Sequence, residues 1–190
     1  MKYLIIGLGN PGAEYAETRH NIGFKVLDTF AKASDTPFLH TRYADTAKVK
    51  FKGRTFVLAK PMTYMNLSGK AVHYWMQKEK IAPENMLIIV DDLALPFGTV
   101  RIKKNGGDGG HNGLSDIISI LGTNNFNRLR FGIGNEFSRG HQVDYVLGKW
   151  SEIEKKLLDE RIKKVIQAIK NFGTIGINRT MNFFNEKYST

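Results

Sequence analysis

The segment Met86-Leu87-Ile88-Ile89-Val90-Asp91-Asp92 combines an unbroken apolar run with two carboxylates at its end. Such a run is typical of a strand that is buried on both faces, as in a parallel sheet. Lys2–Leu8 is a second apolar run, which ends among glycines and predicts another buried strand. Ligands of open α/β sheets bind beyond the carboxyl ends of the strands. Asp91 and Asp92 therefore stand where a functional site is expected.

Strand and helix patterns alternate along the rest of the chain. Further strands are predicted at Ala47–Phe51, Arg54–Ala59, Thr99–Lys103 and Arg128–Gly134, and the first two form a hairpin at Lys52-Gly53. Apolar residues at helical spacing predict three helices, with the faces Ile22, Val26, Leu27 and Phe30; Leu114, Ile117, Ile118 and Leu121; and Ile153, Leu157, Leu158, Ile162, Val165, Ile166 and Ile169. Other helices are expected from a Ser68 cap to about Lys80, and over about Thr174–Asn185. We therefore predict an α/β fold, with residues 1–190 as a single domain and a twisted, mixed, largely parallel sheet flanked by helices.

The composition indicates a basic protein of the cell interior. Cysteine is absent, which excludes disulfides, thiolate zinc sites and a cysteine nucleophile. Neither a signal peptide nor the run of about 20 apolar residues that a bilayer span needs is found, so we expect a soluble, cytoplasmic protein without membrane contact. The formal net charge of +10 favours polyanions such as nucleic acids. The basic residues that follow the central strand predict a basic face: Arg101, Lys103, Lys104, Arg128 and Arg130.

The glycines of Gly7-Leu8-Gly9-Asn10-Pro11-Gly12 match the pattern of dinucleotide-binding folds. In those folds a helix opens at the third glycine, so that its N-terminus meets the pyrophosphate. Here the helical pattern begins only near His20, and the acidic residue at the appropriate distance, Asp28, falls within that helix. We therefore interpret the glycines as a tight turn at which the backbone can approach a ligand. A dinucleotide site is the alternative.

His20 and Asp91 form the candidate catalytic pair. His20 lies at a predicted helix start, where the positive helix end disfavours protonation and keeps the imidazole available as a base. A carboxylate such as Asp91 would fix the tautomer and stabilise the imidazolium that forms on proton abstraction. Because the chain has no cysteine and no serine in G-x-S-x-G, the pair predicts direct attack by water. Side-chain amides both donate and accept hydrogen bonds, so Asn10, Asn66 and Asn112 could hold a carbonyl, an oxyanion and a water.

Taken singly, these histidines and asparagines are also compatible with ordinary cap and turn positions. The histidines have neither the H-x-x-x-H nor the H-E-x-x-H spacing of metal sites. We therefore expect no metal and no other cofactor.

Six stretches of the chain together match the sequence pattern of one protein family. They are Gly7–Gly12 running into Tyr15, Thr18–Asn21 with Gly23, Lys60–Gly69, Asp91–Leu93 with Leu95-Pro96, Gly109–Leu114, and Arg128–Gly134. In this order and spacing, over nearly the whole chain, they resemble the bacterial peptidyl-tRNA hydrolase family. Ala94 departs from that pattern, in which an acid is common at this position.

The resemblance implies an enzyme that hydrolyses the ester between a peptide and the 3′ end of a transfer RNA. His20 would be the general base, Asp91 its orienting partner, and Asn10 the contact to the peptide that separates peptidyl from free aminoacyl substrates. The resemblance also implies substrate contacts around the ester from Tyr15, Tyr64, Met65, Asn66 and Asn112, and phosphate contacts from Arg101, Lys103 and Arg130.

The expected partner is peptidyl-tRNA, bound through its acceptor end and phosphate backbone by a monomeric protein. Two alternatives belong to other functional classes. The glycine motif would suit an NAD(P)-dependent oxidoreductase, and the net charge would suit a non-catalytic RNA-binding protein.

Overall fold

The computed structural model describes residues 1–185, and in this range the strands form one mixed sheet. The strands are β1 (Lys2–Gly7), β2 (Leu39–His40), β3 (Ala44–Phe51), β4 (Arg54–Pro61), β5 (Met86–Asp92), β6 (Val100–Lys103) and β7 (Asn127–Gly132). Their order across the sheet is β2-β3-β4-β1-β5-β7-β6. β4, β1, β5 and β7 run parallel, whereas β2, β3 and β6 pair antiparallel with their neighbours. The prediction of a mixed, largely parallel sheet is confirmed.

Helices cover both faces of this sheet. They are α1 (Ile22–Ala33), α2 (Ser68–Glu79), α3 (Asn112–Leu121), α4 (Gln142–Val146), α5 (Glu152–Ile175) and α6 (Ile177–Phe184). Alternate residues of β1 point to opposite faces: Ile5 packs in the core under α1 and α5, and Ile6 in the core under α2 and α3. Both cores are built from buried apolar side chains, which explains the continuous apolar runs of the central strands. Within residues 1–185, no helix is long and apolar enough to span a bilayer.

The glycine motif after β1 serves the packing of α1. A Cβ atom on Gly7 would lie 2.3 Å from the carbonyl oxygen of Gly23, and one on Gly9 would lie 2.7 Å from the Phe24 ring. These two glycines therefore let the strand and the helix approach, and our interpretation of a turn at a ligand is wrong for both. A 3-10 turn over Arg19–Asn21 precedes α1, which begins ten residues after Gly12 rather than at it. The geometry of a dinucleotide site is thus missing at this motif.

Two predicted helix boundaries are wrong. Ser68 is the first residue of α2 and not its cap, because a 3-10 turn over Met65–Leu67 comes first and the Ser68 hydroxyl donates to the Met65 carbonyl at 2.7 Å. The last predicted helix, Thr174–Asn185, is divided. α5 continues through Ile175, Gly176 breaks the chain direction at φ +83°, and α6 follows.

The apolar stripe of α5 is buried over most of its length but not at its start. Ile153 is 75% exposed and Leu157 is 39% exposed, so the prediction that both face the core is wrong. A 24-residue helix is about 36 Å long, whereas the seven residues of β5 span only about 23 Å. The first turns of α5 therefore extend beyond the strands that could cover them.

One edge of the sheet is closed by a side chain. The amide of Asn185, just after α6, accepts a hydrogen bond from the backbone N–H of Ile102 and donates one to its carbonyl, each at 2.7 Å. Asn185 thus makes the contacts that a neighbouring strand would make to β6.

Candidate active site

The carboxyl ends of β1, β4, β5 and β7 lie at one edge of the sheet, and the predicted site residues follow them. Asp91 is the penultimate residue of β5 and is buried. His20 reaches it from the 3-10 turn before α1, with its Nδ1 atom 2.8 Å and 2.9 Å from the two carboxylate oxygens. The structure therefore brings together the two residues that the sequence pairs as base and carboxylate.

A second histidine contacts the same carboxylate. His111 Nε2 lies 2.9 Å from Asp91 Oδ1, and the rings of His20 and His111 are 4.9 Å apart between centroids. On its other side, His111 Nδ1 accepts the backbone N–H groups of Gly113 and Leu114 at 3.1 Å and 3.3 Å and so caps α3. This residue links the start of α3 to the end of β5.

The pKa of the Asp91 carboxyl, together with the hydrogen-bond geometry, indicates which atoms donate protons. Burial alone would raise the pKa of the carboxyl, but the two facing histidines outweigh it and hold the net pKa well below its ordinary value. An ionised carboxylate only accepts hydrogen bonds, so Nδ1 of His20 and Nε2 of His111 both donate to it. In the neutral form of His20, Nε2 then carries the lone pair. That atom is the available base of the site.

The positions of these protons also decide whether the site suits a metal ion. His20, Asp91 and His111 each place one potential ligand atom in a cluster in which all three atoms lie within 4.8 Å of one another. A metal needs the unprotonated nitrogen of a histidine, but Nδ1 of His111 accepts hydrogen bonds and its proton is therefore on Nε2, the atom that faces Asp91. The observed hydrogen bonds favour a donor–acceptor network at this position over a metal centre.

Asn10 is held rigidly beside this pair. Its backbone N–H and C=O bond the side-chain amide of Asn21, both at 2.9 Å. Its own side-chain oxygen accepts the N–H of Met65 at 2.7 Å. These contacts orient the Asn10 amide, and the Nδ2 atom is the donor that it can present to a ligand.

The two other predicted asparagines lie at the starts of neighbouring elements. Asn66 is in the 3-10 turn before α2, and Asn112 is the first residue of α3; both are exposed. The two elements dock closely, because Asp116 of α3 accepts the N–H of Gly69 at 2.7 Å and a Cβ on Gly113 would lie 2.7 Å from the Met65 sulfur. Of the other predicted contacts around the ester, Met65 is buried, Tyr64 is exposed and Tyr15 is half-buried.

Comparison with known proteins identifies the family. The model of the family described as peptidyl-tRNA hydrolase matches residues 4–190. The chain belongs to the peptidyl-tRNA hydrolase family. The peptidyl-tRNA hydrolase of Bacteroides fragilis is 59% identical over 187 residues, which cover 98% of this chain and all of the relative. A crystal structure of peptidyl-tRNA hydrolase from Acinetobacter baumannii superposes with a TM-score of 0.90 at 38% identity, covering 96% of this chain and 94% of that one.

In this member of the peptidyl-tRNA hydrolase family, the predicted basic face is only partly exposed. Arg101 and Arg130 are paired across β6 and β7 and are half-buried, and Lys103 is exposed. Arg130 also forms an ion pair with Asp92, directly after the catalytic candidate Asp91. The predicted basic face, which comprises Arg101, Lys103 and Arg130, thus begins beside the candidate pair of His20 and Asp91.

Arg128 does not belong to that face, and its prediction as part of it is wrong. It is 1% exposed, and its guanidinium donates to the carbonyl oxygens of Gly106, Gly107 and Asn124 at 2.8–2.9 Å. Burial lowers the pKa of Arg128, and the nearby Arg130 lowers it further. The side chain therefore anchors the glycine-rich loop that leads to His111.

His111 itself was missed as a functional residue from the sequence. It stands in Gly109-Gly110-His111-Asn112 directly before a helical stripe, which is the position of an N-cap. That signal indicates a cap but cannot reveal the contact to Asp91, which is 20 residues away in the chain. Asn21 was similarly missed as the residue that holds Asn10.

Proposed function

We propose that this chain hydrolyses the ester bond of peptidyl-tRNA, releasing the peptide and free tRNA, with a water molecule that His20 activates. The observation that carries the proposal is the contact of His20 Nδ1 to both oxygens of the buried Asp91 carboxylate. It leaves Nε2 as a base with a fixed direction, in a chain that has no cysteine nucleophile. Membership of a family of hydrolases that act on this substrate supports the same conclusion.

The proposed reaction has two proton transfers. As the water oxygen attacks the ester carbonyl carbon, one water proton moves to Nε2 of His20, and Asp91 stabilises the imidazolium. The tetrahedral intermediate then collapses, the bond between the carbonyl carbon and the ribose oxygen breaks, and the imidazolium returns the proton to that oxygen. A positioned base of this kind is worth about 10²–10⁴-fold in rate.

The asparagine amides would act on the substrate itself. Asn66 and Asn112 are exposed on neighbouring elements, where they can donate to the oxyanion or hold the water. Loss of one oxyanion donor typically costs about 10²–10³-fold in rate. Asn10, with its oriented Nδ2, would contact the peptide and separate peptidyl from free aminoacyl substrates. Tyr15, Tyr64 and Met65 complete the proposed contacts around the ester.

The basic face would bind the RNA through the phosphate groups of the RNA. Arg101, Lys103 and Arg130 supply charge without reading bases, which suits an enzyme that accepts many tRNAs. Lys103 is the most accessible of the three. The partner is therefore proposed to be the acceptor end and phosphate backbone of peptidyl-tRNA. A cytoplasmic location, a monomeric state and independence of any cofactor stay predictions.

The test uses N-acetyl-aminoacyl-tRNA and the same tRNA with a free amine, both in the presence of EDTA. We expect rapid ester cleavage of the blocked substrate alone, and about 10²–10⁴-fold slower turnover by His20→Ala with nearly unchanged tRNA affinity. His73→Ala is the matched control, because His73 is exposed and its side chain contacts that of Gln77 one turn further along α2. Near-full activity of His20→Ala would refute the mechanism. Tight tRNA binding without any cleavage by the unaltered protein would favour the non-catalytic RNA-binding alternative.

A further inference from the structure

Arg42, Tyr43 and Lys70 form a cationic cluster beside α2, with the Tyr74 ring as its support. Arg42 and Tyr43 lie between β2 and β3, whereas Lys70 and Tyr74 are one turn apart on α2. The guanidinium carbon of Arg42 lies 5.0 Å from the centre of the Tyr43 ring and 5.4 Å from that of Tyr74. The Lys70 ammonium lies 4.8 Å from the centre of the Tyr43 ring. The separation of the two cations therefore cannot exceed the sum of 5.0 Å and 4.8 Å.

Both cations of the cluster act on one oxygen, the hydroxyl of Tyr43. Nη2 of Arg42 donates to this oxygen at 3.3 Å. The hydrogen bond from Arg42, followed by that from Lys70, holds the pKa of the Tyr43 phenol below its ordinary value. A guanidinium, an ammonium and a hydroxyl group that face one position are a set of donors that suits the oxygens of a phosphate.

The positive charge of the cluster is not cancelled by a carboxylate. Within residues 1–185, neither Arg42 nor Lys70 takes part in any of the ion pairs. The carboxylate that is nearest to Arg42 along the chain, that of Asp45, instead contacts Nδ1 of His40 at 2.8 Å. Arg42 and Lys70 are also exposed, so the cluster presents both charges to an anion in solution.

The backbone under the cluster is fixed by contacts to buried parts of the fold. The indole N–H of Trp75, which is 3% exposed, donates to the Arg42 carbonyl at 3.0 Å. Tyr43 adopts a φ of +65°, which is uncommon for a residue with a Cβ atom, and its carbonyl accepts the N–H of Met62 at 2.8 Å. The Tyr74 ring meets the Tyr43 ring edge-on at 5.4 Å. Donors that are already ordered reduce the entropic cost of binding a ligand.

The cluster and the basic face lie on opposite sides of the candidate catalytic pair. Ala44 pairs with Pro61, so the start of β3 lies at the same edge of the sheet as the carboxyl ends of β4, β1 and β5. Four strand spacings separate β3 from β7, which is about 19 Å at about 4.8 Å each. Asp91 is on β5, between these two strands. An RNA whose ester lies at Asp91 and His20 is therefore within reach of both groups of cations.

We propose that Arg42, Tyr43 and Lys70 bind a backbone phosphate of the tRNA, as a second phosphate site that is separate from the basic face. The inference rests on the proposed function, because that function makes tRNA the partner. One strand of a double helix carries a phosphate for about every 3.4 Å of its axis, so a site of this size contacts one or two phosphates. Phosphates held on both sides of the catalytic pair would restrict rotation of the RNA about the ester.

The first experiment measures the affinity for deacylated tRNA as a function of salt concentration. The double variant Arg42→Gln, Lys70→Gln should bind about tenfold more weakly, and the slope of log affinity against log salt should fall by about 0.7–0.9, the value for one phosphate contact. Lys164→Gln is the matched control, because Lys164 is an exposed lysine of α5, which packs on the other face of the sheet. A slope that the double variant leaves unchanged would overturn the proposal.

Tyr43→Phe tests the hydroxyl separately from the charge. It keeps the ring and both cations, so the salt slope should stay the same while the affinity for tRNA falls about threefold. Full affinity in Tyr43→Phe would refute a site in which the phenol donates to the phosphate.

The last experiment locates the bound phosphate on the RNA. Deacylated tRNA is ethylated at random phosphates, and bound and free fractions are mapped for the unaltered protein and for the double variant. We expect one or two phosphates at which ethylation weakens binding to the unaltered protein only. Identical patterns for both proteins would overturn the proposal. Absence of ester hydrolysis by the unaltered protein would sink the proposed function, whereas these binding measurements would still decide whether the cluster is a phosphate site.

Discussion

The replacement of His111 by asparagine separates the two contacts that this histidine makes. Asparagine is among the best N-cap residues, so it can still cap α3, but its shorter side chain cannot reach Asp91. Loss of a hydrogen bond to a charged group costs about 1.5–3 kcal/mol, and loss of a cap costs about 0.5–2 kcal/mol. We therefore expect His111→Asn to lower the free energy of unfolding by about 1.5–3 kcal/mol and His111→Ala by about 2–5 kcal/mol. The Asp91 contact to His20 persists in both, so kcat should fall by about tenfold, well short of the effect of His20→Ala.

Urea unfolding and initial rates on N-acetyl-aminoacyl-tRNA measure the two quantities. His40→Ala is the control, because Nδ1 of His40 contacts Asp45 at 2.8 Å, close to the 2.9 Å between His111 and Asp91, but the His40 side chain is 81% exposed. An exposed pair of this kind contributes at most about 1 kcal/mol. If His111→Asn is as destabilised as His111→Ala, the side chain does not cap α3 independently of its contact to Asp91. If its kcat is unchanged, Asp91 is not held in its catalytic position by His111.

Three other changes test separate parts of the structure. Because the pKa of Asp91 is depressed, its carboxylate contributes stability above the unfolded pKa of about 3.9 and loses it as the pH falls toward the lower folded pKa. In urea titrations, the difference in unfolding free energy between the unaltered protein and Asp91→Asn should therefore be constant above about pH 5 and shrink between about pH 4 and pH 3. A difference that grows on acidification would contradict a depressed pKa of Asp91. Lys103→Ala should reduce the slope of log affinity for tRNA against log salt by about 0.9, the value for one phosphate contact, and an unchanged slope would remove Lys103 from the RNA interface. In the same urea assay, Leu158→Ala should cost about 2–5 kcal/mol and Leu157→Ala less than about 1 kcal/mol, whereas equal losses would reverse the assigned faces of α5.

The central part of the fold is predictable because its signals are local. The run Met86–Val90 indicates a strand buried on both faces, and the structure places it as β5 between two parallel strands. The stripe Leu114, Ile117, Ile118 and Leu121 likewise becomes α3. The hairpin of β3 and β4 is confirmed as well, although β3 begins at Ala44 and not at Ala47.

The errors arise where tertiary structure determines the outcome. Ile153 and Leu157 fit an apolar helix face, but periodicity does not tell how far a helix extends past the sheet that covers it. β2 and α4 are too short to carry a pattern, with two and five residues. Arg128 is a cation in the sequence and a buried anchor in the structure, because the carbonyl groups it needs come from a loop more than 20 residues earlier.

The candidate site shows the same division. His20 and Asp91 could be paired from the sequence because a histidine base needs a carboxylate that orients its ring and stabilises the imidazolium. The structure brings the two side chains together. The geometry that makes the pair specific depends on contacts between distant segments: His111 to Asp91, Asn21 to the Asn10 backbone, and Met65 to the Asn10 side chain. No local pattern contains these contacts.

The contact of Asn185 to Ile102 has a consequence for behaviour at high protein concentration. An uncovered edge strand offers its free N–H and C=O groups to any other extended chain, and this is a common route to aggregation. The amide of Asn185 occupies such groups on β6. At the opposite side of the sheet, β2 pairs with Asp45 and Thr46 of β3. Asn185→Asp would replace the donor to the Ile102 carbonyl by a carboxylate oxygen that repels it. Deamidation of this one side chain would therefore uncover the β6 edge at Ile102 while α6 stays packed on the core through Ile177, Met181 and Phe184. Ageing of the purified protein should then appear as self-association by strand addition at this edge.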